Sequence, residues 1–175
     1  PTSVGWPIAG CDYRFVGGQT ERDGELWVRN PGVALGYYGM PDKTAERFID
    51  GWYRTGDVLR HGDDGWFYFI GRTDDMFVVG GENVYPQEVE TLLESHPSVA
   101  QATVLPFAHE MKGMVPYAFV VPAAGASPSE DELKAFTIEN GPAYAHPRRV
   151  FIIPEIPLTG TNKVDKEQLK ALAAG

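Results

Sequence analysis

The chain is poor in residues that staple or metallate small proteins. Cys11 is its only cysteine, which excludes an internal disulfide and a thiolate metal set. His61, His96, His109 and His146 are scattered with no two at ligand spacing, so no metal site is expected. No run of about 18 apolar residues occurs, so no membrane span is expected. The opening PTSVGWPIAG has neither a basic head nor an apolar core, so no signal peptide is expected, and the expected location is the cytoplasm. Positive charge is short as well: 15 Lys and Arg stand against 24 Asp and Glu, and most of the net charge of −9 lies beyond residue 73. Nucleic-acid binders draw much of their affinity from cations that replace phosphate counterions, so no nucleic-acid partner is expected. Also missing is any Gly/Ser/Thr-rich loop able to cradle a polyphosphate.

What remains is rich in core-forming residues. Apolar residues make up 43% of the 175, with 4 Trp, 9 Phe and 8 Tyr, enough for one domain or two small ones. The first part reads as short strands divided by turns. CDYRFV, GELWVRN, WYRTGDVLR and WFYFIGR are separated by Gly17-Gly18, Asp23-Gly24, Asp50-Gly51 and the Gly62 to Gly65 cluster, which are hairpin signals. A short helix over Pro41 to Phe48, with Pro41 in its first turn, interrupts them. Residues 1–73 are therefore expected to form mainly antiparallel β structure, small and barrel-like.

From Asp74 the pattern alternates. Met76 to Val79 is extended, and Pro86 to Ser95 places Val89, Leu92 and Leu93 on one helical face, with Pro97 closing it. Glu88 and Glu90 then read as an exposed helix face. Strands are expected over Ala100 to Leu105, Tyr117 to Val121 and Val150 to Ile153. Ser129 and Glu132 form a capping box for a helix stopped at Gly141, and a last helix over Lys166 to Ala173 turns Leu169 and Leu172 inward. PAAGASP, Pro122 to Pro128, is a loop. Residues 74–175 thus read as a compact α+β module, and the whole chain as α+β.

Four motifs carry chemistry: YRTGD (Tyr53 to Asp57), GRTDD (Gly71 to Asp75), GGENVYPQEVE (Gly80 to Glu90) and PLTGTNKVD (Pro157 to Asp165). Read alone, each has a plain alternative: Asp57 as a turn cap, Arg72 in a surface ion pair, Asp74 and Asp75 as a solvated turn, Gly80-Gly81 as a turn, Lys163 as a solvated charge. In this order and spacing, over essentially the whole chain, they resemble the C-terminal portion of the acyl- and aryl-CoA synthetases of the adenylate-forming superfamily.

That resemblance implies a two-step reaction. A carboxylic acid and Mg-ATP give an acyl-adenylate and pyrophosphate; coenzyme A then displaces AMP to give a thioester. It implies that Asp57 holds the AMP ribose, that Arg72 contacts ribose or phosphate, and that Asp74 is the hinge of a mobile small domain, 74–175. Residues 1–73 would be the end of the large domain. Gly80 and Gly81 would lie along the pantetheine arm of CoA in an extended stretch of backbone, with Glu82 and Asn83 lining the thiol tunnel. Lys163 would be the catalytic residue, its ammonium meeting carboxylate, α-phosphate and ribose oxygen as charge develops.

Departures from the family pattern are visible. Asn162 stands where many relatives have Gly, a substitution that tolerates positive φ. Tyr144-Ala145-His146-Pro147-Arg148 lacks the lysine that often follows the tyrosine, leaving Arg148 and Arg149 as candidates for the 3′-phosphate side of CoA. The phosphate loop and the segment that positions adenine and Mg²⁺ are absent, so the Mg²⁺ site is expected in a missing N-terminal domain of the same parent protein, and the chain alone is expected to be inactive. A non-catalytic module binding CoA or a pantetheine arm is the alternative, and a β-rich interaction protein is a third. Exposure of Trp6, Trp27, Trp52 and Trp66 would indicate an unfinished core in 1–73. The identity of the acid and the oligomeric state, a homo-oligomer included, stay open.

Overall fold

A computed structural model describes residues 3–174, and its contacts divide the chain into a first unit ending at Asp74 and a second beginning at Asp75. The first unit contains β1 (Ser3–Gly5), β2 (Asp12–Gly17), β3 (Asp23–Arg29), α1 (Pro41–Arg47), β4 (Phe48–Ile49), β5 (Trp52–His61) and β6 (Phe67–Arg72). Its strands pair antiparallel in the order β1-β6-β5-β3-β2, with β4 beside β5. The expected antiparallel β structure is present. It does not close into a barrel, because β1 and β2 form opposite edges of an open sheet.

Local chemistry explains the turns. Ile49 pairs with Trp52 across Asp50 and Gly51, both at positive φ (51° and 79°), as a two-residue type I′ hairpin requires. On one face of the sheet Arg14 lies 4.5 Å from the ring centroids of both Trp27 and Trp52, Arg29 covers Trp52, and Arg54 covers Trp27. Indole faces attract guanidinium groups, so this ladder buries aromatic surface without an aliphatic partner. Buried Glu25 completes it, accepting from Trp27 Nε1 at 3.0 Å and from Arg54. Trp27 is therefore buried and Trp52 half-buried, whereas Trp6 (64% exposed) and Trp66 (38%) touch each other at the surface.

The second unit runs β7 (Phe77–Val79), β8 (Glu82–Val84), α2 (Pro86–Glu94), β9 (Val99–His109), β10 (Gly113–Pro122), α3 (Glu130–Asn140), β11 (Arg149–Ile152) and α4 (Lys166–Ala174). The strand order is β11-β10-β7-β8, with β9 along β10; the β10–β11 pair is parallel and the others antiparallel. Alternation along β10 separates two cores. Ala118 and Val120 pack with Val89 and Leu93 of α2 and Leu133 of α3, while Phe119 packs with Leu169 of α4. Ser129 and Glu132 make both bonds of the capping box.

Three expectations are corrected. The strands β9 and β10 are longer than read, because Pro106 and Pro116 lie inside them, directly opposite each other. Neither has an N–H to donate, so the pair occupies a non-hydrogen-bonded position where the ladder loses nothing. Leu172 points outward at 50% exposure, and Leu169 alone of α4 is buried. Glu90 is not on an exposed face. Its Oε1 accepts the Val104 N–H at 2.8 Å, and Glu94 Oε1, one turn on, accepts the Ala102 N–H at 3.0 Å. Residues two apart in a strand point their amides the same way, so α2 caps the outer edge of β9. Glu130 of α3 does the same for Val150 of β11, at 3.1 Å. Both edges are thereby withheld from further pairing.

Candidate functional site

In the first unit the cross-strand register of β5 and β6 places Asp57 opposite Arg72, and the two side chains are hydrogen-bonded. Thr55 fixes the approach: its hydroxyl donates to Leu26 O at 2.7 Å and accepts the Asp57 N–H at 3.0 Å. Gly56 between them has φ 78°, and a Cβ there would lie 2.7 Å from Arg47 and 2.9 Å from Arg72. The backbone conformation favours glycine here, and a side chain would displace the ends of both guanidinium groups.

Arg47, at the end of α1, donates to Asp74 Oδ2 at 3.1 Å, and Arg72 reaches the same oxygen at 3.5 Å. The hydrogen bond from Arg47 holds the Asp74 carboxyl below the usual range and raises Arg47 in return. Tyr37 and Tyr53 meet hydroxyl to hydroxyl at 3.2 Å, a bond that raises the Tyr53 phenol, and Lys43 sits over the Tyr37 ring. These side chains line a cleft of about 400 Å³. Half-buried Asp57 offers carboxylate lone pairs to it, the arrangement that accepts hydrogen bonds from a vicinal diol, with cations beside it for an anionic group. Asp57, Arg72 and Asp74, singled out from sequence, are therefore brought together; Tyr53 belongs to the YRTGD motif but had no role assigned, and Arg47, Tyr37 and Lys43 lie in no motif.

The second unit holds the remaining candidates. Gly80 (φ 59°) and Gly81 (φ 98°) connect β7 to β8, with Val79 paired to Glu82. These are type I′ values, so the expected extended segment is instead a tight hairpin turn. Glu82 and Asn83 are exposed on β8. Lys163 is exposed in a loop closed by the Leu158–Val164 bridge; Thr159 N–H donates to Lys163 O at 2.7 Å, and Asn162 takes φ 59°. Asn83, Tyr144 and His146 line a separate cavity of about 110 Å³. Burial lowers the His146 imidazole, and Arg148 is hydrogen-bonded to that ring. Arg149 is engaged elsewhere, 3.4 Å from Glu130 and over the Phe151 ring. Among the described residues no cluster of three or more His, Cys, Asp or Glu is arranged to hold a metal ion, and no helix is long and apolar enough to cross a membrane.

Residues 88–163 match the model of the AMP-binding enzyme C-terminal domain. That stretch is the C-terminal domain of an AMP-binding enzyme. A 2-succinylbenzoate–CoA ligase of Geobacillus kaustophilus is 42% identical over 149 residues, 85% of this chain and 30% of the relative. A medium/long-chain-fatty-acid–CoA ligase of Mycobacterium tuberculosis is 39% identical over 155 residues, 85% of this chain and 27% of the relative. Among solved structures, the amide bond synthetase McbA from Marinactinospora thermotolerans superposes with a TM-score of 0.88 at 34% identity, over 98% of this chain and 36% of that one. The o-succinylbenzoate CoA synthetase of Bacillus subtilis, in complex with its acyl-adenylate, gives 0.84 at 32%, over 96% and 35%. The chain thus spans about a third of the length of the adenylate-forming relatives it matches.

Proposed function

We propose that the chain is the C-terminal portion of an ATP-dependent carboxylic acid:CoA ligase of the cytoplasm. In the first step an oxygen of the carboxylate attacks the α-phosphorus of ATP; that P–O bond forms as the bond to pyrophosphate breaks, giving the acyl-adenylate. In the second, the thiolate sulfur of CoA attacks the acyl carbon, the thiol proton passes to solvent, and AMP leaves with the C–O electron pair.

The observation that carries this reading is the Asp57–Gly56–Arg72 constellation, a carboxylate presented beside a guanidinium in a chain whose relatives are named as CoA ligases. Asp57 accepts from the two ribose hydroxyls, and charge-assisted bonds of this type contribute roughly 1.5–3 kcal/mol each. Arg72 orients Asp57 and faces ribose or phosphate. Lys163, for which no hydrogen bond or ion pair of its ammonium is seen among the described residues, neutralises charge at the α-phosphate in the first step. Asp74 is the hinge between the two steps. The Gly80-Gly81 turn with Glu82 and Asn83 flanks the pantetheine arm, and Arg148 faces the CoA phosphates. Magnesium on the triphosphate offsets its charge; its ligands belong to the N-terminal part of the parent protein.

The test is thioester formation, read by mass spectrometry, by the full-length protein given ATP, CoA and a panel of aryl and fatty acids. Acyl-CoA that requires ATP supports the ligase. Retention of CoA on a folded protein that makes neither pyrophosphate nor thioester would favour the non-catalytic module.

A further inference from the structure

The junction between the units is flanked by two carboxylates, and each is tied back into its own unit. Asp74 receives Arg47 at 3.1 and 3.3 Å from its two oxygens. Arg47 is a firm base for this bond: its side chain is only 13% exposed, against 55% for Asp74. The backbone is stitched just before it, Thr73 N–H donating to Gly56 O at 2.9 Å. On the other side Asp75 Oδ1 receives Lys166 Nζ at 2.8 Å, from the first residue of α4. The helix is itself anchored through buried Leu169. Glu90 of α2 feels both members of this second pair, as well as Glu94.

We propose that Arg47 and Lys166 are positioning residues that bracket the Asp74–Asp75 junction, each fixing one carboxylate to its own unit, so that rotation between the units is confined to the dihedrals of that single link. A hinge works when few residues absorb the change and their neighbours stay packed. Had the adjacent carboxylates been free, the pivot would spread over Arg72 to Phe77. The Arg47 bracket is the stiffer, because a shielded guanidinium contacts both oxygens, whereas the Lys166 pair is open to solvent on both sides. The inference rests on the reading of Asp74 as the hinge.

Backbone ¹⁵N relaxation on the full-length protein, with this segment alone isotope-labelled, tests it without any substrate. The wild type is expected to show lowered order parameters only at the amides of Asp74 to Met76. In Arg47→Met the mobile stretch extends backwards, with Arg72 and Thr73 falling from about 0.85 to below about 0.6. In Lys166→Met it extends forwards to Phe77, by a smaller drop. Asp74→Asn alters an exposed side chain, keeps Arg47, and is expected to reproduce the backward spread should Arg47→Met unfold. Order parameters that stay unchanged in Arg47→Met and Asp74→Asn, or that fall equally on both sides, overturn the proposal. Loss of ligase activity would leave these values untouched, so the two readings fail separately.

Discussion

Glu90 accepts the Val104 amide through Oε1 at 2.8 Å, tying a helix carboxylate to the outer edge of a strand. Burial raises this carboxyl from its ordinary 4.5 to about 7. The folded state therefore holds a proton that the unfolded chain has released, so stability falls as pH rises from about 4.5 to about 7 and is level above that. Glutamine keeps the acceptor oxygen and never ionises. Glu90→Gln is expected to exceed the wild type by up to about 3 kcal/mol at pH 8 and to match it near pH 4, as urea unfolding would measure. Equal differences at both pH values would contradict this.

Gly56→Ala strains a residue at φ 78° and pushes on Arg47 and Arg72 together. A loss of about 1–3 kcal/mol in stability is expected, read by thermal or chemical melts. In the full-length enzyme KM for ATP rises by on the order of tenfold to a hundredfold, since the guanidinium that orients Asp57 moves. An unchanged KM would detach this cleft from nucleotide binding.

The Gly80-Gly81 turn separates fold from function. Gly81→Val places a β-branched residue at φ 98° and is expected to cost about 1–2 kcal/mol or more. Asparagine tolerates the φ of 59° at position 80, and a Cβ there meets nothing within 4 Å. Gly80→Asn should therefore melt within about 0.5 kcal/mol of wild type. If the pantetheine arm runs along this turn, its thioester step slows while adenylation does not; equal rates in both steps would remove the turn from the CoA path.

The features legible in the sequence are those that neighbouring residues decide. Asp50-Gly51, the Ser129–Glu132 box and the prolines that open α1 and α2 act over a few residues, and each takes the expected form. What was missed depends on partners distant in the chain. Glu90 looks like a solvated charge until a strand edge is set beside it, and the edge contacts of Glu94 and Glu130 have no local signal; Leu172 fits the apolar stripe of a helix whose buried contact is Leu169 alone. The expected strands stop at Leu105 and start at Tyr117, whereas Pro106 and Pro116 extend them because they face each other, which is a matter of register. The site divides likewise. Motifs singled out Asp57, Arg72 and Asp74, but Arg47 lies in no motif and gains its meaning only from the carboxylate it reaches.

Lys163 tests the central claim most directly. In the full-length protein, acid-dependent pyrophosphate release and the conversion of preformed acyl-adenylate to thioester are measured side by side, in wild type and Lys163→Ala. The ligase reading predicts a fall on the order of 10²–10³ in the first rate and little change in the second. Pyrophosphate release that does not depend on a carboxylic acid, or that survives the loss of Lys163, would contradict it.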